Sequence, residues 1–132
     1  MRLLLDTQLL LWAAGDPARL SREALQLLED PENQLIFSPV SLWEIALKQT
    51  LGQSLGRRDL RVDLPLLRRG MLDNGYLELA ITGAHAIAME SLPPLHTDPF
   101  DRMLVAQARA EGAALLTADP LVAQYHGPVR MV

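Results

Sequence analysis

Cysteine is absent from this chain of 132 residues. That excludes disulfides, thiolate metal sites and a cysteine nucleophile, and it fits a reducing cytoplasm. Lysine is nearly absent: Lys48 is the single lysine among 12 basic residues. No uninterrupted apolar run approaches the roughly 18 residues of a membrane span. The opening MRLLLDTQLLLWAAGD is broken by Asp6 and followed closely by Asp16, so it reads as folded chain and not as a signal peptide. Glycine-rich phosphate loops are missing. Serines 21, 38, 41, 54 and 91 lack a nucleophile-elbow context. His85, His96 and His126 lack metal-ligand spacing and read as surface or structural residues. Repeats, low-complexity tracts and linkers are also lacking, so residues 1–132 read as one domain.

What is present is a hydrophobic content of 49%, enough for a folded core. Net charge is −4, from 12 basic and 16 acidic residues. Taken alone this argues against a nucleic-acid partner, but bound cations would invert the field of any acids that are ligands. Basic charge is also clustered. Residues 56–70 carry Arg57, Arg58, Arg61, Arg68 and Arg69 against Asp59 and Asp63, a local +3. Arginine suits bidentate phosphate contacts. A solvated basic surface, or the arginine bias of a GC-rich genome, accounts for the cluster as well.

Along the chain, apolar runs alternate with helical patterns. Strands are expected at 2–5, 34–37, 76–81, 114–117 and, as an edge, 129–132. Helices are expected at 7–14, 21–30, 38–51, 64–74, 82–91 and 98–111, with a short one from Asp119-Pro120. Residues 52–63 read as a loop or arm. Trp12 and Trp43 are most simply core. The alternation predicts an α/β fold with a parallel sheet.

Four acids stand at strand ends or helix beginnings: Asp6, Glu44, Asp101 and Asp119. Each has an ordinary explanation. Asp6 and Asp119 suit N-caps. Glu44 could close a capping box with Ser41. Asp98 caps, Pro99 opens the helix and Asp101 lies in its first turn. Together these explanations weaken, because strand ends in an open α/β sheet converge on one crevice. Several carboxylates there repel one another unless a cation lies between them. Hard oxygen ligands suit Mg²⁺ or Mn²⁺, and such sites are typical of enzymes that act on phosphate esters. A haloacid-dehalogenase-type site is unlike this chain, since Gln8 stands where its second Asp belongs. A response-regulator receiver needs a late lysine, and Lys48 is mid-chain.

LLLDT at the start, SLWEIALK in the first third, HTDPFDRMLVAQA further on and LLTADP near the end resemble the PIN-domain ribonucleases. The resemblance is closest to VapC-type toxins of type II toxin–antitoxin systems, and it spans nearly the whole chain in order. It implies a three-layer α/β/α sandwich with a central parallel sheet of four or five strands. It makes Asp6, Glu44, Asp101 and Asp119 the catalytic quartet holding Mg²⁺ or Mn²⁺. Asp98 is favoured as a helix cap, with a place behind the ligands as the alternative. Thr7 and Thr117 lie beside two of the acids, to orient them or to hold a metal-bound water. The implied activity is hydrolysis of RNA phosphodiester bonds by metal-activated water in a cytoplasmic protein. The implied partners are RNA, a cognate antitoxin and a second toxin chain in a homodimer. Arg57, Arg58, Arg61, Arg68 and Arg69 are candidates for gripping the RNA backbone, and the leucine-rich stretches 7–14 and 42–51 for an exposed groove. Two other functions keep the same fold: an inactive interaction module, and a nuclease of RNA maturation. The sequence departs from similar ones at Gln8, often His, and in the arginine-rich stretch 52–63.

Overall fold

The computed structural model describes residues 1–52 and 61–132. Its centre is a five-stranded, all-parallel sheet built from β1 (Arg2–Leu5), β2 (Gln34–Phe37), β3 (Leu77–Glu78), β4 (Ala114–Thr117) and β5 (Val129–Met131). The spatial order is β3-β2-β1-β4-β5. The strands are short and nearly all apolar because both faces are covered. Successive side chains point to opposite faces. Leu4, Ile36 and Leu115 therefore join Leu104, Val105 and Ala108 of α6 (Pro99–Glu111) in one core layer. Leu3, Leu5, Phe37 and Leu116 face the other way. There they meet α1 (Thr7–Gly15), α2 (Arg22–Glu29) and α4 (Leu64–Asp73) through Leu9, Leu10, Ala24, Leu67 and Met71. α3 (Pro39–Thr50) crosses between the layers, giving Val40 to one and Ile45 to the other. α5 (Gly83–Ala88) packs beside α6. The result is the expected α/β/α sandwich, with five strands.

Helix ends follow local chemistry. Ser21, Ser38, Asp63, Thr82 and Asp98 each cap a helix by accepting a backbone N–H. α6 ends at Gly112, whose φ of +64° is a left-handed conformation that only glycine adopts freely.

Five expectations need correction. The third strand is two residues long and not six. The Tyr76 N–H is taken by Met71 O at the end of α4, and the Leu79 and Ala80 carbonyls accept from Gln107 Nε2. The helix expected to Ser91 tightens into a 3₁₀ turn at Met89–Ser91. After Asp119-Pro120 the chain forms only a 3₁₀ turn at Val122–Gln124. Trp43 is 57% exposed, with its ring edge-on to Phe100 at a centroid distance of 4.9 Å, and is not core. Trp12 is half-buried. The Ser41–Glu44 capping box does not form either. Ser38 is the cap, and Ser41 lies inside α3, accepting from Thr7 Oγ1 at 2.9 Å.

Candidate functional site

The sheet order reverses direction beside β1, whose neighbours are β2 and β4. In such sheets a crevice opens outside the carboxyl ends of these strands. A cavity of about 370 Å³ lies there, lined by Asp6, Glu44, Asp98, Asp101 and Asp119, with Thr7, Gln8 and Lys48. The four quartet acids and Asp98 are thus brought together from four separate stretches of chain, Asp98 and Asp101 both coming from the start of α6.

Asp6 arrives first. Its N–H pairs with Leu116 O at 3.1 Å, continuing the β1–β4 ladder one residue beyond β1. Its Oδ1 caps α1 by accepting from Leu9 N at 2.8 Å. Its Oδ2 accepts from the buried Thr117 hydroxyl at 2.6 Å. Thr117 Oγ1 in turn accepts from Asp119 N at 3.0 Å, so one side chain orients two of the acids. Thr7 lines the same cavity, but its hydroxyl bonds Ser41 and ties α1 to α3.

Glu44 is 5% exposed. Its Oε2 accepts from Lys48 Nζ at 2.5 Å, one helical turn on. Its Oε1 is buried and has no hydrogen-bond partner. A buried carboxylate oxygen left unpaired is costly. Asp98 caps α6 through bonds from Phe100 N at 2.8 Å and Asp101 N at 3.2 Å, as expected. Asp101 Oδ2 lies 2.8 Å from His96 Nε2. Asp119 Oδ1 accepts from Leu121 N at 2.9 Å.

The electrostatics match this crowding. Burial pushes Asp6 up to about 6, against the hydrogen bonds from Thr117 and Leu9, and the charges of Asp101 and Glu44 add to it. Burial likewise pushes Asp101 up to about 6 against its bond to His96, with Asp98 and Glu44 adding repulsion. Burial alone would lower the Lys48 ammonium. Its hydrogen bond to Glu44 and the charges of Glu44, Asp98 and Asp101 outweigh it and raise the pKa.

The donor set fits a hard divalent cation. It offers carboxylate oxygens, one of them an orphaned buried atom, at a place where negative charge is already costly. His96, Asp98 and Asp101 also present ligand atoms within 4.8 Å of one another. His96 was missed as a site residue. It lies within the HTDPFD stretch, five residues before Asp101, and only the turn of the chain ahead of α6 brings its ring back to that carboxylate.

The described arginine candidates, Arg61, Arg68 and Arg69, do not line this cavity. Arg61 lines a separate groove, Arg68 Nε pairs with Glu78 Oε1 at 2.6 Å, and Arg69 is exposed. Arg57 and Arg58 lie outside the described residues.

Residues 3–126 match the PIN domain family. No curated protein sequence matches the chain significantly. Among solved structures, the chain is similar to one in VapBC2 from Rickettsia felis bound to a promoter DNA fragment. Identity is 15%, coverage is 99% of this chain and 98% of that one, and the TM-score is 0.72. It is similar to a chain of DNA-bound VapBC from Salmonella typhimurium, at 14% identity, with 100% and 97% covered and a TM-score of 0.67. A toxin–antitoxin complex from Klebsiella pneumoniae gives 21% identity, 96% and 94% coverage, and a TM-score of 0.59.

Proposed function

The chain belongs to the PIN domain family, and from that premise we propose that it is a Mg²⁺- or Mn²⁺-dependent endoribonuclease, the toxin of a toxin–antitoxin pair. PIN domains are generally nucleases. One observation carries the metal-dependent reading: a cavity lined by five carboxylates holds a buried Glu44 oxygen with no partner. Similarity in fold to toxin–antitoxin proteins supports the toxin role.

Asp6, Glu44, Asp101 and Asp119 would hold the cation. Bound there, it would supply Lewis-acid stabilisation of the charge that develops during hydrolysis of a phosphodiester. The chain's own groups do the rest. Thr117 fixes Asp6 and the backbone of Asp119, and His96 fixes one oxygen of Asp101. Asp101 Oδ1 and Asp119 Oδ2 make no protein hydrogen bond among the described residues, so either can take a proton from the attacking water. With water as nucleophile, the RNA 2′-hydroxyl is not required, and the products carry a 5′-phosphate and a 3′-hydroxyl. Arg57, Arg58, Arg61, Arg68 and Arg69 stay as candidates for distant backbone contacts, Arg68 only after leaving Glu78.

The seat we assign to the antitoxin is an apolar groove of about 750 Å³ between α1, α2 and α4, lined by Leu11, Leu28, Leu35, Leu66, Leu67 and Met71. The α1 stretch expected to supply a groove contributes to it, and α3 does not. A homodimer completes the reading. Among the described residues no helix is long and apolar enough to cross a membrane, which fits cytoplasmic action.

The test is cleavage of total RNA by purified protein with Mg²⁺ or Mn²⁺, beside Asp6→Asn and an EDTA control. Discrete fragments that need both the metal and Asp6 are expected. Absence of cleavage by metal-loaded, antitoxin-free protein would favour an inactive interaction module.

A further inference from the structure

Among the described residues, the acidic cavity has one cationic side chain in its wall, Lys48. It is also the only lysine in the chain. Its ammonium has three N–H donors. One is used on Glu44 Oε2. No other acceptor for it occurs among the described residues, and its side chain is 31% exposed. Glu44 divides its two oxygens: Oε2 goes to Lys48, and Oε1 is left without a partner. A cation taken up through Oε1 therefore need not displace the lysine.

An RNA phosphate entering a cavity of five carboxylates meets repulsion. Divalent cations offset part of it, and a fixed ammonium in the same wall offsets more and gives the phosphate oxygens a donor. Resting on the nuclease reading above, we propose that Lys48 is a further catalytic residue, which keeps one N–H on Glu44 and donates another to a non-bridging oxygen of the scissile phosphate. Lysine suits this as a compact point charge on a flexible stem. Its tie to Glu44 sets the ammonium beside the ligands, so the phosphate it holds is the one at the metal.

The alternative is that Lys48 only steadies Glu44, and Lys48→Gln separates the two. Glutamine can still donate to Glu44 but carries no charge. The probe is a short, mixed-sequence single-stranded RNA, with binding read by fluorescence anisotropy across a salt series. Ca²⁺ replaces Mg²⁺ to load the site through the same oxygens while slowing cleavage. Mn²⁺ affinity is measured by calorimetry and folding by thermal melting. The expected result is RNA binding about tenfold weaker, with a log–log salt slope about 0.7 shallower, the loss of one single-strand phosphate contact. Mn²⁺ affinity should stay within about threefold, since Oε1 is untouched, and Lys48→Arg, which keeps the charge, should retain the wild-type slope. An unchanged slope with weakened Mn²⁺ binding would overturn the proposal and leave Lys48 as a holder of Glu44. If Lys48→Gln does not fold, Lys48→Arg still decides: a slope as shallow as that expected for the lost contact would overturn it. Wild-type protein that neither binds nor cuts RNA would remove the nuclease reading itself, and this proposal with it.

Discussion

At the scale of single residues, the raised acids make a prediction about pH. Asp6 and Asp101 titrate near 3.8 in an unfolded chain and at about 6 in the folded, metal-free protein. Between those values the folded state holds more protons than the unfolded one, so stability falls as pH rises through the window. Below it both states are protonated and the penalty is absent; above it the full penalty persists. The difference in stability between wild type and Asp6→Asn/Asp101→Asn should widen in the double variant's favour from about pH 4 to about pH 6, then level off. Urea denaturation across pH in EDTA measures this, and a flat difference would show that neither carboxylate is strained. Adding Mg²⁺ above pH 7 should recover stability in wild type alone. A second prediction concerns His96. With Asp101 ionised, its Nε2–H is the donor to Oδ2, so His96→Ala should weaken Mn²⁺ binding about tenfold or more. His96→Gln, with a donor at similar reach, should recover part of it. Equal affinities by calorimetry in all three proteins would remove His96 from the site. That the four acids would meet in one cavity was legible in the sequence, because acids at strand ends and in early helical turns have a recognisable place. His96 was not, because spacing rules describe ligands and not the groups that hold ligands still.

At the scale of elements, what sequence pattern could not foresee was competition for backbone groups. Tyr76–Ile81 alternates like a strand, yet only Leu77–Glu78 pairs with β2. Gln107, fully buried on α6, takes the carbonyls of Leu79 and Ala80, while its Oε1 accepts from Ser38 Oγ at 2.6 Å. One amide thus joins α6, the start of α3 and the exit of β3. Periodicity marks Gln107 only as a polar residue in a helix, and nothing local announces partners 28 and 69 positions away. Exposed Trp43 is a related case, since burial of a helix face depends on which neighbour covers it. Gln107→Leu would leave the buried Ser38 hydroxyl without its acceptor and remove the donor to the carbonyls of half-buried Leu79 and exposed Ala80. The expected loss is about 2–3 kcal/mol in urea unfolding. A cost below about 0.5 kcal/mol, the range of a surface change, would mean that water replaces the amide and that the network does not hold these elements together.

At the scale of the whole molecule, the two cavities are adjacent and opposite in character. Leu11 lines both the acidic cavity and the apolar groove. A protein segment seated in the groove would therefore lie against the wall of the acidic cavity, a geometry in which a partner can block access without touching its carboxylates. The parallel sheet behind the acidic crevice was foreseeable from alternating strands and helices, though its strand order was not. The groove was foreseen only for its α1 wall, because its place depends on how α1, α2 and α4 splay over one sheet face. Leu66 lines the groove and is 64% exposed, so its replacement should not disturb the core. Leu66→Glu places a charge where an apolar partner helix would pack. It should weaken the complex with the cognate antitoxin by about tenfold or more, while metal-dependent RNA cleavage by the free protein stays within about twofold of wild type. Titration calorimetry with the antitoxin and the RNA cleavage assay, run on one preparation, measure the two effects separately. If Leu66→Glu binds as tightly as wild type, docking belongs elsewhere, and the exposed Trp43, Leu47 and Leu51 along α3 become the next face to charge.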